Sequence, residues 1–135
     1  YCIGEGNARS EYEKLIKYYD LQKDFILLGE KVNPYPYIKK SDIYVQTSRH
    51  EGYCLTLSEA KCLCKAIITT EFVGAKEQIN NKKNGIIIKF NEDELCSSIK
   101  LLIDNDNERK NLIHNVENEK FCNKGKIEIL YSFID

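Results

Sequence analysis

Tryptophan and methionine are absent from this 135-residue chain, and proline and histidine occur only twice each. His50 and His114 stand apart, and no second Cys or His pair falls at zinc-ligand spacing, so no metal site is expected. Neither sign of charge is in surplus. Twenty Lys and Arg stand against 21 Asp and Glu, a net charge of −1 that gives no reason to propose a nucleic-acid or membrane surface. No apolar run is long enough to span a bilayer, no signal-peptide pattern is read, and there are no repeats, low-complexity tracts or Pro/Gly-rich linkers. The missing Trp and Met, beside plentiful Lys, Asn and Ile, read as coding bias. Without Met there is no initiator residue, and Tyr1 opens inside what reads as a strand, so a fragment of a longer chain is expected.

What is present fits a soluble globular domain. Apolar residues make up 42% and charged residues 30%, and 135 residues suffice for one domain with a proper core. We read residues 1–135 as that single domain. Six cysteines are spread along it: Cys2, Cys54, Cys62, Cys64, Cys96 and Cys122. Cys62 and Cys64 lie two apart on an expected helix and so face different ways. Reduced, mostly buried thiols in a cytosolic protein are the simplest reading.

Taken in order, Tyr1–Ile3 reads as a strand end stopped by Gly4-Glu5-Gly6. Asn7 or Ser10 is positioned to cap a helix with Leu15, Ile16 and Tyr19 on its apolar stripe. Phe25–Leu28, stopped by Gly29, has the pattern of a strand covered on both faces. Asn33-Pro34 starts a short helix over 35–40, and Asp42–Thr47 is a buried strand. A helix from Leu55, a β-branched strand over 66–70, a turn at Phe72-Val73-Gly74 and a short helix over 75–80 follow. Asn84-Gly85 turns into a strand over 86–90, and Asn91 caps an amphipathic helix with Leu95, Ile99, Leu102 and Ile103 on its apolar side. Further helices are expected over 108–120, carrying Leu112, Ile113 and Val116, and over 127–134. Strands alternating with helices predict an α/β fold, a Rossmann-like parallel sheet with helices on both faces. Such sheets bind ligands at the carboxyl ends of their strands. The segments 4–6, 29–31, 49–52 and 70–72 all converge on that edge.

The thirteen residues from Ser48 to Ala60 organise the rest. A strand end, a glycine turn and a helix start place free amides and the positive end of a helix dipole at one spot. The amides of Gly52, Tyr53, Cys54 and Leu55 suit phosphate oxygens, and Gly52 lets the backbone approach closely. Glu59, one turn into the helix, is placed to accept hydrogen bonds from vicinal hydroxyls, and Glu51 sits beyond the phosphates near whatever they carry. On pattern alone, both carboxylates read equally well as solvated first-turn residues favoured by the dipole. His50 as an acid or base, and Cys54 as a nucleophile, rank lower, since no partner completes either. Tyr35, Pro36 and Tyr37 read as packing. Arg49 and Lys31 read as phosphate partners or as surface charges, and Gly4-Glu5-Gly6 lacks the third glycine of a dinucleotide fingerprint.

Together the ordered pieces resemble the C-terminal domain of retaining glycosyltransferases of family 4, within the GT-B fold. The pieces are Gly4-Glu5-Gly6, the Phe25–Gly29 strand end, Asn33-Pro34-Tyr35-Pro36-Tyr37-Ile38 with Ser41-Asp42, and Ser48-x-x-Glu51-Gly52. Glu59-Ala60 then closes an E-x7-E motif, and Asn84-Gly85 matches a later turn. The Asn-Pro-Tyr-Pro-Tyr segment is most similar to bacterial enzymes that build capsular or other surface polysaccharide. The resemblance implies a nucleotide-sugar donor as substrate, with Glu59 on the ribose hydroxyls and Glu51 on the transferred sugar. It places the diphosphate on the amides of Gly52 to Leu55, and the loop Glu30-Lys31-Val32, with Gly4 nearby, around the base. It implies front-face attack with retention of configuration, no metal, and a cytoplasmic parent whose acceptor, where lipid-linked, brings it to the inner membrane face. The acceptor-binding N-terminal domain and the basic residues that clamp the diphosphate would lie before Tyr1, leaving this chain alone inactive.

Two departures stand out. A Gly-x-Pro ahead of the 66–70 strand is Cys64-Lys65-Ala66 here, and a Gly-Gly-x-x-Glu loop is reduced to Gly74-Ala75-Lys76-Glu77-Gln78. A non-catalytic nucleotide-binding or interaction module derived from the same fold remains an alternative, and a nucleotide-sugar epimerase a third.

Overall fold

The computed structural model describes residues 1–119, which fall into two compact units, Tyr1–Pro34 and a second that begins at Tyr35. The first unit holds β1 (Cys2–Ile3), α1 (Arg9–Tyr18) and β2 (Leu27–Gly29), with β1 and β2 paired in parallel. Gly4 donates its amide to the Gly29 carbonyl (2.9 Å), and its φ of +130° is a conformation that a side chain would oppose. Expectation and structure part here in three places. Ala8 is the N-cap of α1 and no side chain caps it, so neither Asn7 nor Ser10 has that role. The stripe of Leu15, Ile16 and Tyr19 buries none of its residues. Phe25 is exposed in a turn, and Leu27 and Leu28 are only half-buried, so β2 is not covered on both faces.

The second unit is a three-layer α/β sandwich. It contains α2 (Tyr35–Lys40), β3 (Ile43–Gln46), α3 (Leu55–Cys62), β4 (Ala66–Thr70), α4 (Val73–Gln78), β5 (Ile86–Ile88), α5 (Glu92–Asp104) and α6 (Asp106–Glu117). The strands form a parallel sheet in the order β3-β4-β5. Strand β4 lies between its two neighbours and is buried along its whole length, as its β-branched sequence requires. Alternation along it feeds two cores. Ile67 packs with Ile38, Leu57, Ala60, Phe72, Ala75 and Ile79 from α2, α3 and α4. Ala66 and Ile68 join Ile86, Ile88, Leu102 and Leu112 beneath α5 and α6. The helices therefore cover both faces, as the sequence predicts.

Smaller differences have local causes. Val73 and Gly74 belong to α4 rather than to a turn, and that helix ends at Gln78 instead of Asn80. Strand β5 stops at Ile88, leaving Phe90 exposed beneath the Arg49 guanidinium, 4.9 Å from its ring centroid. Asn91 caps α5 as expected, accepting from the Glu94 amide. Ile103 is 62% exposed and lies off the buried face. Among the described thiols only Cys54 is buried, and Cys2 and Cys96 are exposed, against the expectation of mostly buried cysteines. Cys122 and the helix expected over 127–134 lie outside the described residues. No helix among the described residues is long and apolar enough to cross a membrane.

The end of α3 explains the first departure. Lys65 donates its amide to the Ala60 carbonyl (3.1 Å) and Cys64 donates to that of Lys61 (2.9 Å), the paired bonds of a Schellman turn. That turn needs a left-handed residue, and Cys64 supplies it at φ +52°. Glycine adopts this conformation without the cost of about 1–2 kcal/mol that a side chain incurs there, though it gives back part of that gain as unfolded-state freedom. Cys64→Gly should therefore raise unfolding stability by about 0.5–1 kcal/mol in chemical denaturation. A loss of stability would contradict this account.

Candidate functional site

The loop from Thr47 to Cys54 leaves the carboxyl end of β3 and enters α3, and four contacts fix its course. Thr70, at the end of β4, donates its hydroxyl to the Ser48 carbonyl (2.5 Å). Ser48 Oγ donates to Glu51 Oε1 (3.0 Å). The Gln78 amide of α4 donates to the Cys54 carbonyl (3.3 Å) and accepts from Ser58 Oγ (2.6 Å). The fourth contact is the tightest. A Cβ placed on Gly74 would lie 2.0 Å from the Gly52 carbonyl oxygen and 3.2 Å from Tyr53 Cα, so the loop occupies space that any side chain at 74 would need. Peptide groups are planar and none here is cis, so with its carbonyl against Gly74 the Gly52–Tyr53 peptide turns the Tyr53 N–H away from α4.

This geometry leaves the start of α3 open. Cys54 is the N-cap, with extended dihedrals and no side-chain cap bond, so the first-turn amides have no acceptor within the helix. Cys54 is 4% exposed, its thiol 3.2 Å from Thr56 Oγ1, which anchors the loop in the core and withholds the sulfur from any attack on a ligand. Gly52, Tyr53 and Leu55 are exposed. Beside them an open cleft of about 830 Å³ is lined by Arg49, His50, Glu51, Gly52, Glu71, Phe72, Val73 and Lys76. Its charges are mixed, and Lys76 pairs with Glu71 at 3.4 Å. Among the described residues no three His, Cys, Asp or Glu side chains cluster to hold a metal.

The two carboxylates differ in setting. Glu51 is exposed on the cleft at the end of a polarised chain: Tyr44 OH donates to Gln46 Oε1 (2.6 Å), Gln46 Nε2 donates to Ser48 Oγ (2.6 Å), and Ser48 donates to Glu51. Burial, and then the nearby Cys54, Glu59 and Glu51, push the Tyr44 phenol up to about 12 against a hydrogen bond with Thr56, so it stays a donor. Glu59 is half-buried on α3, and its Oε1 accepts the Tyr35 hydroxyl at 3.1 Å. The structure thus brings Glu51, Gly52, Tyr53, Cys54, Leu55 and Glu59 together in the second unit. Gly4, Glu30, Lys31 and Val32 belong to the first, where Gly4, Glu30 and Val32 are exposed and Lys31 half-buried. Sequence reasoning missed Gln46, Gly74, Gln78 and the polar role of Tyr35; the last three act through contacts distant in sequence, and Gln46 through Tyr44 and Ser48 on either side of it.

The model of the glycosyl transferases group 1 family matches residues 2–119, and the chain belongs to that family. It is 31% identical over 110 residues to a Campylobacter jejuni protein named N-acetylgalactosamine-N,N'-diacetylbacillosaminyl-diphospho-undecaprenol 4-alpha-N-acetylgalactosaminyltransferase. That match covers 80% of this chain and 30% of the relative, so the chain spans under a third of the relative's length. Among solved structures, Anabaena HepE in complex with UDP superposes with a TM-score of 0.80 at 20% identity, over 96% of this chain and 40% of that one. At that identity the likeness shows the fold, that of the GT-B glycosyltransferases. The C-terminal domain of LpcC, a group 1 family protein from Francisella tularensis, is 26% identical with a TM-score of 0.72, over 80% of this chain and 57% of that one.

Gly74→Ala tests the loop geometry. The added methyl must displace the Gly52–Tyr53 backbone, and overpacking of this kind costs about 1–3 kcal/mol. Amide NMR should show Gly52 and Tyr53 among the most shifted resonances, with lowered stability. A spectrum unchanged at those residues would refute the close approach.

Proposed function

We propose that this chain is the donor-binding domain of a retaining glycosyltransferase of family 4. The whole protein would move a sugar from a nucleotide diphosphate sugar to a growing polysaccharide or glycolipid acceptor. One observation carries the reading. Uncapped first-turn amides of α3 lie between a half-buried carboxylate, Glu59, and a cleft-lining one, Glu51, at the carboxyl edge of a parallel sheet. In this reading Glu59 binds the ribose hydroxyls, the amides from Gly52 to Leu55 bind the diphosphate, and Glu51 meets the transferred sugar.

The chemistry asked of these residues is mainly positioning and charge stabilisation. The donor's C1–oxygen bond breaks as the acceptor hydroxyl attacks from the same face. The leaving diphosphate takes up negative charge and helps remove the acceptor proton. Amides that are already oriented cost no reorganisation at that moment. Basic side chains do the neutralising, with no metal in the scheme. Arg49 and Lys76 border the cleft, and further basic residues would come from an N-terminal domain that also holds the acceptor. An α product formed from an α-linked nucleotide sugar is retention, and the Campylobacter relative is named for an α linkage and a diphospho-undecaprenol-linked acceptor. A lipid-linked acceptor for surface glycan assembly would keep the parent in the cytoplasm, at the inner membrane face.

Calorimetry with UDP and a panel of nucleotide sugars tests this on the chain as it stands. Weak binding of one nucleotide diphosphate class is expected, with no sugar transfer. Glu59→Gln should cut affinity for nucleotide and nucleotide sugar alike by about tenfold or more, the worth of a hydrogen bond to a charged group. Glu51→Gln should weaken only the sugar-bearing ligand. No binding by any member of the panel, or binding indifferent to Glu59→Gln, would overturn the proposal.

A further inference from the structure

We infer that Tyr35 is a positioning residue for Glu59, its hydroxyl holding the carboxylate in the orientation that receives both ribose hydroxyls of a nucleoside diphosphate. The inference rests on the donor-site reading and adds a second helix, α2, to the machinery that tells ribose from deoxyribose. Tyr35 packs its ring against the cluster of Ile38, Leu57 and Ile67, so the position of its hydroxyl is set by the core. That hydroxyl reaches Glu59 Oε1 at 3.1 Å, across 24 residues of sequence. A glutamate on a helix surface samples several rotamers, and binding a diol with both oxygens freezes it. A bond from a packed ring does that freezing before the ligand arrives, which is how preorganisation raises affinity.

The remaining capacity of the carboxylate suits the task. Its two oxygens offer about four acceptor positions, of which Tyr35 takes one. Oε2 and the second lone pair of Oε1 are left for two hydroxyls. The donor must stay protonated to act. Burial, followed by the hydrogen bond and charge of Glu59, raises the Tyr35 phenol above its ordinary range. Being neutral, it steadies the carboxylate without cancelling its charge.

Amide NMR titrations with UDP and 2′-deoxy-UDP, or with the ADP or GDP pair where that nucleotide binds instead, test the inference on the wild-type chain, Tyr35→Phe, Glu59→Gln and the double variant. Tyr35→Phe keeps the ring and removes only the hydroxyl. It should leave the fold's resonances in place, weaken UDP about three- to tenfold and shrink the preference for UDP over its deoxy analogue. In the Glu59→Gln background the same change should cost nothing more. The inference is overturned if Tyr35→Phe keeps the full preference while Glu59→Gln loses it. If none of UDP, ADP and GDP binds the wild type, or Glu59→Gln changes nothing, the donor-site reading itself falls, which is a different result. A ligand-free check uses carbon-13 at the Tyr35 ring. In Glu59→Gln its phenol should titrate at lower pH than in the wild type, and an unchanged titration would overturn the contact.

Discussion

The carbonyl of Gly52 lies where a side chain on Gly74 would begin, and the site depends on that close approach. A Cβ at 74 would stand 2.0 Å from the oxygen, far inside contact distance, so α4 and the β3–α3 loop fit together only through glycine. The contact turns the next amide away from α4, sets the entry of α3, and holds the loop while the first-turn amides remain uncapped. Thr70 from β4 and Gln78 from α4 fasten the loop on either side. An anion site made of backbone amides works only if the backbone is already in place. Here tertiary contacts supply the order that a side-chain cap supplies in most helices.

The same principle extends to the carboxylates. Neither is held by its own helix or loop alone. Glu51 ends a chain of donors that starts at Tyr44, on β3, and Glu59 is held by Tyr35 from α2. The donor direction along the first chain is fixed by Glu51: its carboxylate takes the one proton of Ser48, so Gln46 must turn its amide nitrogen to Ser48 and its carbonyl oxygen to Tyr44 and, at 3.4 Å, Thr56. The spacing of Glu51 and Glu59 in the sequence marks the two ends of this arrangement and leaves out the residues that hold them.

That division marks what could be read from sequence. The alternation of strands and helices was legible because β-branched runs such as 66–70 and the capped start of α5 carry local signals. The glycine turn ahead of α3 was legible for the same reason. Contacts between residues distant in the chain were not. Gly74 looked like part of a turn, although its role is to make room for Gly52. Cys64 reads as a departure from a glycine motif, yet it adopts the left-handed conformation that glycine would. In the first unit, Leu15, Tyr19 and Phe25 suggested buried faces, because apolar spacing alone does not say whether a covering element is present.

In the proposed reading the ligand sits on the open start of α3, between Glu51 and Glu59. The most direct measurement is a titration of the nitrogen-15-labelled wild-type chain with UDP, ADP and GDP in turn, following the amide resonances of residues 1–119. The account predicts that the largest shifts fall on Gly52 to Thr56 and on Glu59. Shifts concentrated elsewhere, such as on the apolar face of α5 near Leu95 and Ile99, or no saturable shifts at all, would contradict it.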